Sequence, residues 1–288
     1  MFALKNVGGS SPTFRIDDDA PLFVKLVSAE RWRELSEAER IAQWLVDHGA
    51  PAIAARHANP PQLPNGEFVV VYPFADGRPP APLEDARAVG TGVGRLHAAL
   101  TTHPDLADWT TRTAQRLDRL VAARASIAQG ELEAGPRPDE LRRLAADTSI
   151  SFLPGAHQTG AARPLHGDLN IFNIVIESGG ARFIDFEDAV HSVLSVENDV
   201  ALVCERVILV QEPDDSAAAV AVNALLDAYR EAGGDAINRS ALPDVLIGLS
   251  LRSLCTLALI DPSGHDAEEW NKFFTLIAAA ERRRSVFA

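Results

Sequence analysis

Residues 166–188, HGDLNIFNIVIESGGARFIDFED, read as a polar loop, a strand, a tight turn and a second strand. Ile171 to Glu177 alternates and is β-branched, Ser178-Gly179-Gly180 supplies a turn, and Ala181 to Phe186 returns. With the turn centred between Gly179 and Gly180, Asn173 lies about 6.5 residues before it and Asp185 about 5.5 after. At roughly 3.3 Å per residue those positions end nearly opposite each other. Asp168 sits in the loop that feeds the hairpin. Two carboxylates and an amide are thereby gathered at one end of one hairpin.

That grouping suits a hard cation. Magnesium takes oxygen ligands in an octahedron, commonly one or two from protein, with phosphates and water completing the shell. Asp185 and Asn173 offer such an incomplete set, which implies a phosphate-bearing co-substrate. Asp168 is left to accept a proton from an acceptor hydroxyl. The spacing D-x-x-x-x-N from Asp168 to Asn173, followed by Asp-Phe at a strand end, is the kinase catalytic-loop arrangement.

On HGDLNIFN and IDFED together, the chain resembles the aminoglycoside phosphotransferase and choline kinase-like enzymes, small-molecule relatives of protein kinases. The resemblance implies a two-lobed, protein-kinase-like α+β fold. Residues 1–77 would form a small β-rich nucleotide-binding lobe ending in a hinge, and residues 78–288 a large, mainly helical lobe with the catalytic loop and acceptor site. It implies ATP or GTP as co-substrate, Mg²⁺, and transfer of the γ-phosphate to a small-molecule hydroxyl. Asp168 would be catalytic, and Asn173 and Asp185 would be metal ligands. His166 would pin the loop, and Asp199, in Asn198-Asp199-Val200-Ala201, would brace it from within the fold.

The rest of the chain is read against that expectation. Leu4 to Val7, Thr13 to Ile16 and Leu22 to Leu26 are short strands, and the turn Gly8-Gly9-Ser10-Ser11-Pro12 has backbone amides that can face phosphate at Ser10 and Ser11. Lys25 ends the third strand and takes the place of the family's phosphate-gripping lysine. Its carboxylate partner is expected on the helix from about Arg31 to His48, at Glu37 or Glu39. Glu37 lies nearer the apolar face Ala38, Ile41, Trp44 and Leu45 and is the choice made here. Phe68 to Tyr72 is a buried-type strand broken by Pro73-Phe74-Ala75-Asp76-Gly77, the expected hinge. There the Pro73 carbonyl would accept from an adenine amino group and the Ala75 N–H would donate to the ring. Helical spacing covers Leu83 to Leu100 (ending in RLHAAL), Asp108 to Gln129, Pro138 to Asp147, Val200 to Val210, Ser216 to Ala232, Leu242 to Ile260 and Ala267 to Arg284.

The net charge of −13 argues against nucleic acid and anionic membrane as partners. Cys204 and Cys255 lie in apolar runs, as buried thiols in a reducing, cytoplasmic setting would. Acidic and polar residues interrupt any apolar start, so no signal peptide is read. Between Glu187 and Asp215, eight acids (Glu187, Asp188, Glu197, Asp199, Glu205, Glu212, Asp214 and Asp215) are opposed by Arg206 alone. That run suggests a cationic, aminoglycoside-like acceptor, with Glu187, Asp188 and His191 as its contacts. Choline, another amino alcohol, a sugar or homoserine are alternatives within the same chemistry. A pseudoenzyme would lack one of Asp168, Asn173 and Asp185. A protein kinase would need an activation segment longer than the thirteen positions from Asp185 to Asn198. A metal hydrolase built on His166, Asp168, His191 and Asp199 has no compact ligand motif behind it.

Overall fold

The β-branched and aromatic runs near the N-terminus pair into one antiparallel sheet in the computed structural model, which describes residues 4–6, 12–17, 20–153 and 161–288. Strand order follows the chain: β1 (Leu4–Asn6), β2 (Thr13–Ile16), β3 (Leu22–Val27) and β4 (Phe68–Pro73). Between β3 and β4 runs α1 (Ala29–Asp47), started by Ser28, whose hydroxyl accepts from the Arg31 N–H at 3.2 Å. Its buried face is Leu35, Ala38, Ile41, Ala42 and Leu45. Sheet and helix make the smaller lobe.

The larger lobe is helical. Its elements are α2 (Ala86–Leu100), α3 (Leu106–Gln129), α4 (Pro138–Ala146), β5 (Arg163–Pro164), β6 (Ile174–Glu177), β7 (Gly180–Phe183), β8 (Val193–Leu194), α5 (Glu197–Val203), α6 (Asp215–Glu231), α7 (Leu242–Ile260) and α8 (Ala267–Arg282). A π-helical segment, Cys204–Leu209, continues α5. The helix expected from Val200 to Val210 therefore begins earlier and changes its winding midway. Residues Arg239–Ile260, which include α7, are apolar enough by composition to cross a membrane, yet 67% of their most apolar window is buried inside the protein. That is the pattern of a core helix. Cys204 and Cys255 are both buried and free.

The hairpin β6–β7 differs from the sequence expectation in two details. Ile171–Asn173 is a 3₁₀ turn rather than the start of the strand. Asn170 causes this: its side-chain oxygen accepts the Phe172 N–H at 2.8 Å and so closes the backbone before extended pairing can begin. The register Glu177↔Gly180 also moves the turn centre one residue earlier, between Ser178 and Gly179. Asn173 consequently faces Ile184, whose N–H donates to the Asn173 carbonyl at 3.1 Å, with Asp185 next along. The expected juxtaposition of Asn173 and Asp185 stands. Two ties fix the hairpin to the smaller lobe's edge and the following linker. The Phe183 N–H donates to Pro51 at 2.8 Å, and Ile176 and Arg78 exchange both backbone bonds.

Helix α2 lies against α6 along Gly90 and Gly94, a one-turn spacing that brings two backbones together. A methyl at Gly90 would meet the Leu225 carbonyl at 2.2 Å, and one at Gly94 the Tyr229 carbonyl at 2.6 Å. Alanine is the better helix former by about 1 kcal/mol. Gly90→Ala is nevertheless expected to lose ~1–3 kcal/mol by overpacking, measured by urea unfolding. Gly179→Ala, with nothing within 4 Å of the added carbon, is the control and should stay within about 0.5 kcal/mol. Equal stability of the two variants would contradict this account of the α2–α6 contact.

Candidate active site

Residues His166–Asn173 form a loop held from behind by Asp199 at the start of α5. The Asp199 carboxylate accepts the His166 N–H at 2.8 Å, the Gly167 N–H at 3.0 Å and His97 Nε2 at 3.0 Å, and His97 Nδ1 meets the Tyr229 hydroxyl at 3.0 Å. Burial by itself would raise this carboxyl, but His97 and the loop donors outweigh it and hold Asp199 below its ordinary value. Gly167 has φ +86, and a side chain there would run into Ser192 Oγ at 2.3 Å, so the middle residue of His-Gly-Asp must be glycine. The His166 ring reaches the other way, with Nε2 2.9 Å from the Ile184 carbonyl. Asp199 thus bonds to two consecutive N–H groups of the loop, and the His166 ring ties the loop to the β7 end.

In front of that brace sits Asp168. Its Oδ2 accepts from Asn170 Nδ2 at 2.9 Å and from Asn173 Nδ2 at 3.1 Å, while Asn173 also donates to the Asp168 carbonyl at 2.9 Å. Both amide donors go to Oδ2, which leaves Oδ1 for an incoming hydroxyl. Burial pushes the Asp168 carboxyl above its ordinary range, and the charge of Asp188 adds to this. Because Nδ2 of Asn173 is engaged by Asp168, its other end is an oxygen without a protein donor among the described residues. Asp185, with φ +67, is the described non-glycine residue held at positive φ, and its carboxylate makes no hydrogen bond or ion pair among the described residues. One carboxylate and one amide oxygen without partners form the oxygen-only set that a hard cation accepts alongside phosphate and water. Clusters of three or more His, Cys, Asp or Glu that could hold a metal are absent among the described residues.

Asp185 opens onto a cleft between the lobes, about 930 Å³ of empty space that is open to solvent. Lys25 of β3 and Pro73 and Ala75 of the hinge lie on its walls with Asp185 and Glu187, and Phe23, Leu35, Ile53, Val175 and Ile184 make an apolar slot. The Phe74 N–H is taken by the Pro21 carbonyl at 2.9 Å, whereas the Ala75 N–H has no acceptor among the described residues. Ser10 and Ser11 lie outside the described residues.

The choice of Glu37 as partner of Lys25 is corrected by the structure. Glu37 pairs with Arg112 of α3 at 2.8 Å, on the opposite side of α1. Glu39 lines the cleft with Lys25, whose charge reaches it, and accepts from the Tyr72 hydroxyl at 2.5 Å and the Ala55 N–H at 3.0 Å. Burial raises the Glu39 carboxyl in spite of those donors. The two glutamates flank the apolar face of α1 on opposite sides. What separates them is which flank meets the sheet, and helical periodicity does not carry that information.

On the large-lobe side of Asp168, Glu187 is ion-paired with Arg31 of α1 and Asp188 with Arg116 of α3 at 2.8 Å. His191 lies on the 3₁₀ turn Ala189–His191, its Nδ1 buried without a hydrogen-bond partner. Burial, then the charge of Arg116, lowers its pKa. Each acid of the run has a partner within the protein, although Asp214 and Asp215 lie exposed. Glu205 pairs with Arg206 at 3.2 Å and Asp215 with Arg283 at 2.7 Å. Asp214 caps α6, Glu197 accepts from Ser195, and Glu212 accepts from the Asp214 N–H. Most of the balancing arginines come from distant segments, a pairing that the run read alone does not show. Asn170, His97 and Tyr229 were not singled out from sequence. Asn170 two residues after Asp168 carries an Asx-turn signal, and His97 is a polar interruption of an apolar helical face.

A model of the phosphotransferase enzyme family matches residues 5–234. Among solved structures, an amicoumacin kinase in complex with AMP-PNP, Ca²⁺ and Ami is similar at 16% identity over 97% of this chain and 88% of that one, with a TM-score of 0.61. A macrolide 2′-phosphotransferase from Brachybacterium faecium gives 15% identity over 96% and 91%, TM-score 0.62. A choline/ethanolamine kinase family protein from Mesorhizobium loti gives 15% over 99% and 92%, TM-score 0.60. At these identities the likeness establishes the two-lobed kinase-like fold. No curated protein matches the chain.

The Asp199 brace makes a stability prediction. Asp199→Asn replaces one acceptor oxygen by an NH₂ facing donors, and is expected to cost about 1–3 kcal/mol in denaturant unfolding. Since the folded carboxyl lies below its ordinary 3.8, its contribution is complete above that pH and is lost as pH falls beneath it. The difference between wild type and Asp199→Asn should shrink on that acid side. A constant difference down through the acid range would contradict the brace.

Proposed function

This chain belongs to the phosphotransferase enzyme family, and from that premise we propose that it transfers the γ-phosphate of ATP, with magnesium, to a hydroxyl of a small molecule. One observation carries the proposal: Asn173 holds Asp168 by two hydrogen bonds while Asp185, unpartnered among the described residues, lines the same cleft as Lys25. The proposal divides the chain into a nucleotide-binding lobe, 1–77, and an acceptor lobe, 78–288. The apolar slot takes the base, with the Pro73 carbonyl and Ala75 N–H reading its edge. Hinge contacts of this kind serve ATP, and GTP remains the alternative to be tested beside it. Buried free thiols at Cys204 and Cys255 support a cytoplasmic setting.

Asp185 and Asn173 would hold the magnesium ion, which supplies neutralisation of the charge on the transferring phosphates. Lys25, oriented by Glu39, grips the non-transferred phosphates. Asp168 orients the acceptor hydroxyl through Oδ1 and takes its proton as the new O–P bond forms and the bond to the β-phosphate oxygen breaks, releasing ADP. His166 takes no proton in this scheme, because its ring is engaged by the Ile184 carbonyl. Four of the eight acids that suggested a cationic, amine-bearing acceptor are ion-paired with arginine. The acceptor is therefore proposed as a small alcohol that presents its hydroxyl to Asp168.

Asp168→Asn is expected to lower kcat by about 10²–10⁴ with nucleotide binding retained. Asp185→Ala should instead weaken magnesium-dependent nucleotide binding, and calorimetric titration with and without magnesium distinguishes the two. Equal effects would overturn the roles. Because the Asp168 carboxyl is raised, activity in the wild type should fall as pH drops through a midpoint above the ordinary 3.8.

Glu39→Gln should raise KM for ATP or lower kcat/KM by roughly 10–100-fold, the equivalent of a lost charged contact of about 1.5–3 kcal/mol. Glu37→Gln should leave both near wild type, since Glu37 faces α3. Steady-state kinetics with ATP varied would reverse the assignment if Glu37→Gln were the damaging change.

A further inference from the structure

The bonds behind the catalytic loop do not stop at His97. Tyr229, buried in the last turn of α6, stands edge-on to the His97 imidazole with ring centroids 5.6 Å apart. Its hydroxyl lies 3.0 Å from His97 Nδ1 and accepts the backbone N–H of Asp235. Gly234 lets the chain pass close enough for that bond, since a side-chain carbon there would meet the Tyr229 ring at 2.3 Å. Burial raises the Tyr229 hydroxyl, which therefore keeps its proton and has it to donate. A cavity of about 530 Å³, open to solvent, has His97, Tyr229, Thr101, Arg163, Gly234 and Asp235 on its walls and shares no lining residue with the nucleotide cleft.

The protons along this chain of bonds have one consistent arrangement. An ionised Asp199 only accepts, from Gly167 N–H at 3.0 Å, His166 N–H at 2.8 Å and His97 Nε2 at 3.0 Å, so Nε2 carries a proton. In a neutral imidazole the other nitrogen is then a bare lone pair, and buried lone pairs require a donor. The Tyr229 hydroxyl is that donor. In the opposite tautomer Nδ1–H would point at the hydroxyl, and the Nε2 lone pair would face the carboxylate at 3.0 Å with no hydrogen between them. Asp199 would lose its imidazole donor, and its hold on the loop would weaken.

Resting on the phosphotransfer reading, we propose that Tyr229 is a positioning residue for catalysis: by donating to Nδ1 it holds His97 in the tautomer that donates to Asp199, and so places the two peptides that precede Asp168. The residue touches no reacting atom. Its influence belongs in the loop and in kcat, because the nucleotide cleft is walled by other elements, with Lys25 on β3 and Pro73 and Ala75 at the hinge.

Two measurements need no turnover. Long-range ¹H–¹⁵N correlation of the imidazole nitrogens is expected to show His97 in the Nε2–H form in the wild type. Tyr229→Phe, which keeps the ring and removes the donor, should lose that signature. Amide exchange at His166 and Gly167 should accelerate by roughly tenfold or more in the variant, with no matching change at Phe183, whose N–H is bonded to Pro51 outside this chain of bonds. An Nδ1–H form in the wild type, or an unchanged tautomer and exchange in Tyr229→Phe, would overturn the proposal. The third measurement follows ADP formed from magnesium ATP with water as acceptor. Tyr229→Phe should lower kcat by roughly tenfold and leave KM for ATP near wild type. A raised KM with unchanged kcat would count against positioning. His97→Ala should be equally slow and should regain activity with added imidazole, which can enter through the cavity, but not when Tyr229→Phe is present as well. Rescue indifferent to Tyr229 would also overturn the proposal. Should the wild type consume no ATP, the phosphotransfer reading fails, and the tautomer and amide exchange still decide whether Tyr229 sets the loop.

Discussion

A single buried carboxylate, Asp199, determines where the catalytic loop lies. Ionised carboxylates are tolerated inside proteins only when their lone pairs are met by donors. Here the donors are the N–H groups of His166 and Gly167 and the ring of His97. Satisfying Asp199 therefore fixes two consecutive peptides of the loop that carries Asp168. The same contact extends in both directions. Through His97 and Tyr229 it reaches α2 and α6, whose close approach depends on Gly90 and Gly94. Through His166 it reaches the Ile184 carbonyl, next to Asp185. The proposed base and metal ligand are thus held in register by one connected set of bonds, anchored in the packing of the large lobe.

The two lobes are joined differently. Helix α1 of the small lobe contacts the large lobe through Arg31 with Glu187 and through Glu37 with Arg112. The side chains in these pairs remain 26–39% exposed, a range in which an ion pair contributes about 0–1 kcal/mol. Such contacts orient one lobe against the other without locking it. A cleft that must admit and release a nucleotide is compatible with weak pairs at its edge and a rigid brace beneath its chemistry. Glu37 is one of the weak pairs between the lobes, whereas Glu39, two residues on, is bonded to Tyr72 and Ala55 on its own side of the cleft.

That division explains how much the sequence could disclose. The hairpin and its polar loop were legible because spacing along one continuous segment brings Asp168, Asn173 and Asp185 together, and the strands and helices followed from ordinary periodicity. The 3₁₀ turn at Ile171–Asn173 was hidden because β-branched residues suit a strand, whereas the Asn170 side chain closes the turn. Glu39 and Glu37 could not be separated because the decision rests on Tyr72 and Ala55 on one side and Arg112 on the other, all remote in sequence. The acidic run was misjudged for the same reason. Arg31, Arg116 and Arg283 come from α1, α3 and just past the end of α8 to meet acids that look unopposed when the segment is read alone.

Net charge says little about the charge that a bound ligand meets. The chain carries −13, a field that acts over a Debye length of about 8 Å in physiological salt and keeps the surface acidic. A ligand seated against Asp168 experiences the nearest groups, and those are governed by pairing. Glu187 and Asp188 have arginine partners and Asp199 has backbone and imidazole donors, whereas Asp168 has amide donors alone and Asp185 has no partner among the described residues. Which acids keep an uncompensated charge there is set by Arg31 and Arg116, which reach Glu187 and Asp188 from α1 and α3, and composition alone gives no hint of that pairing.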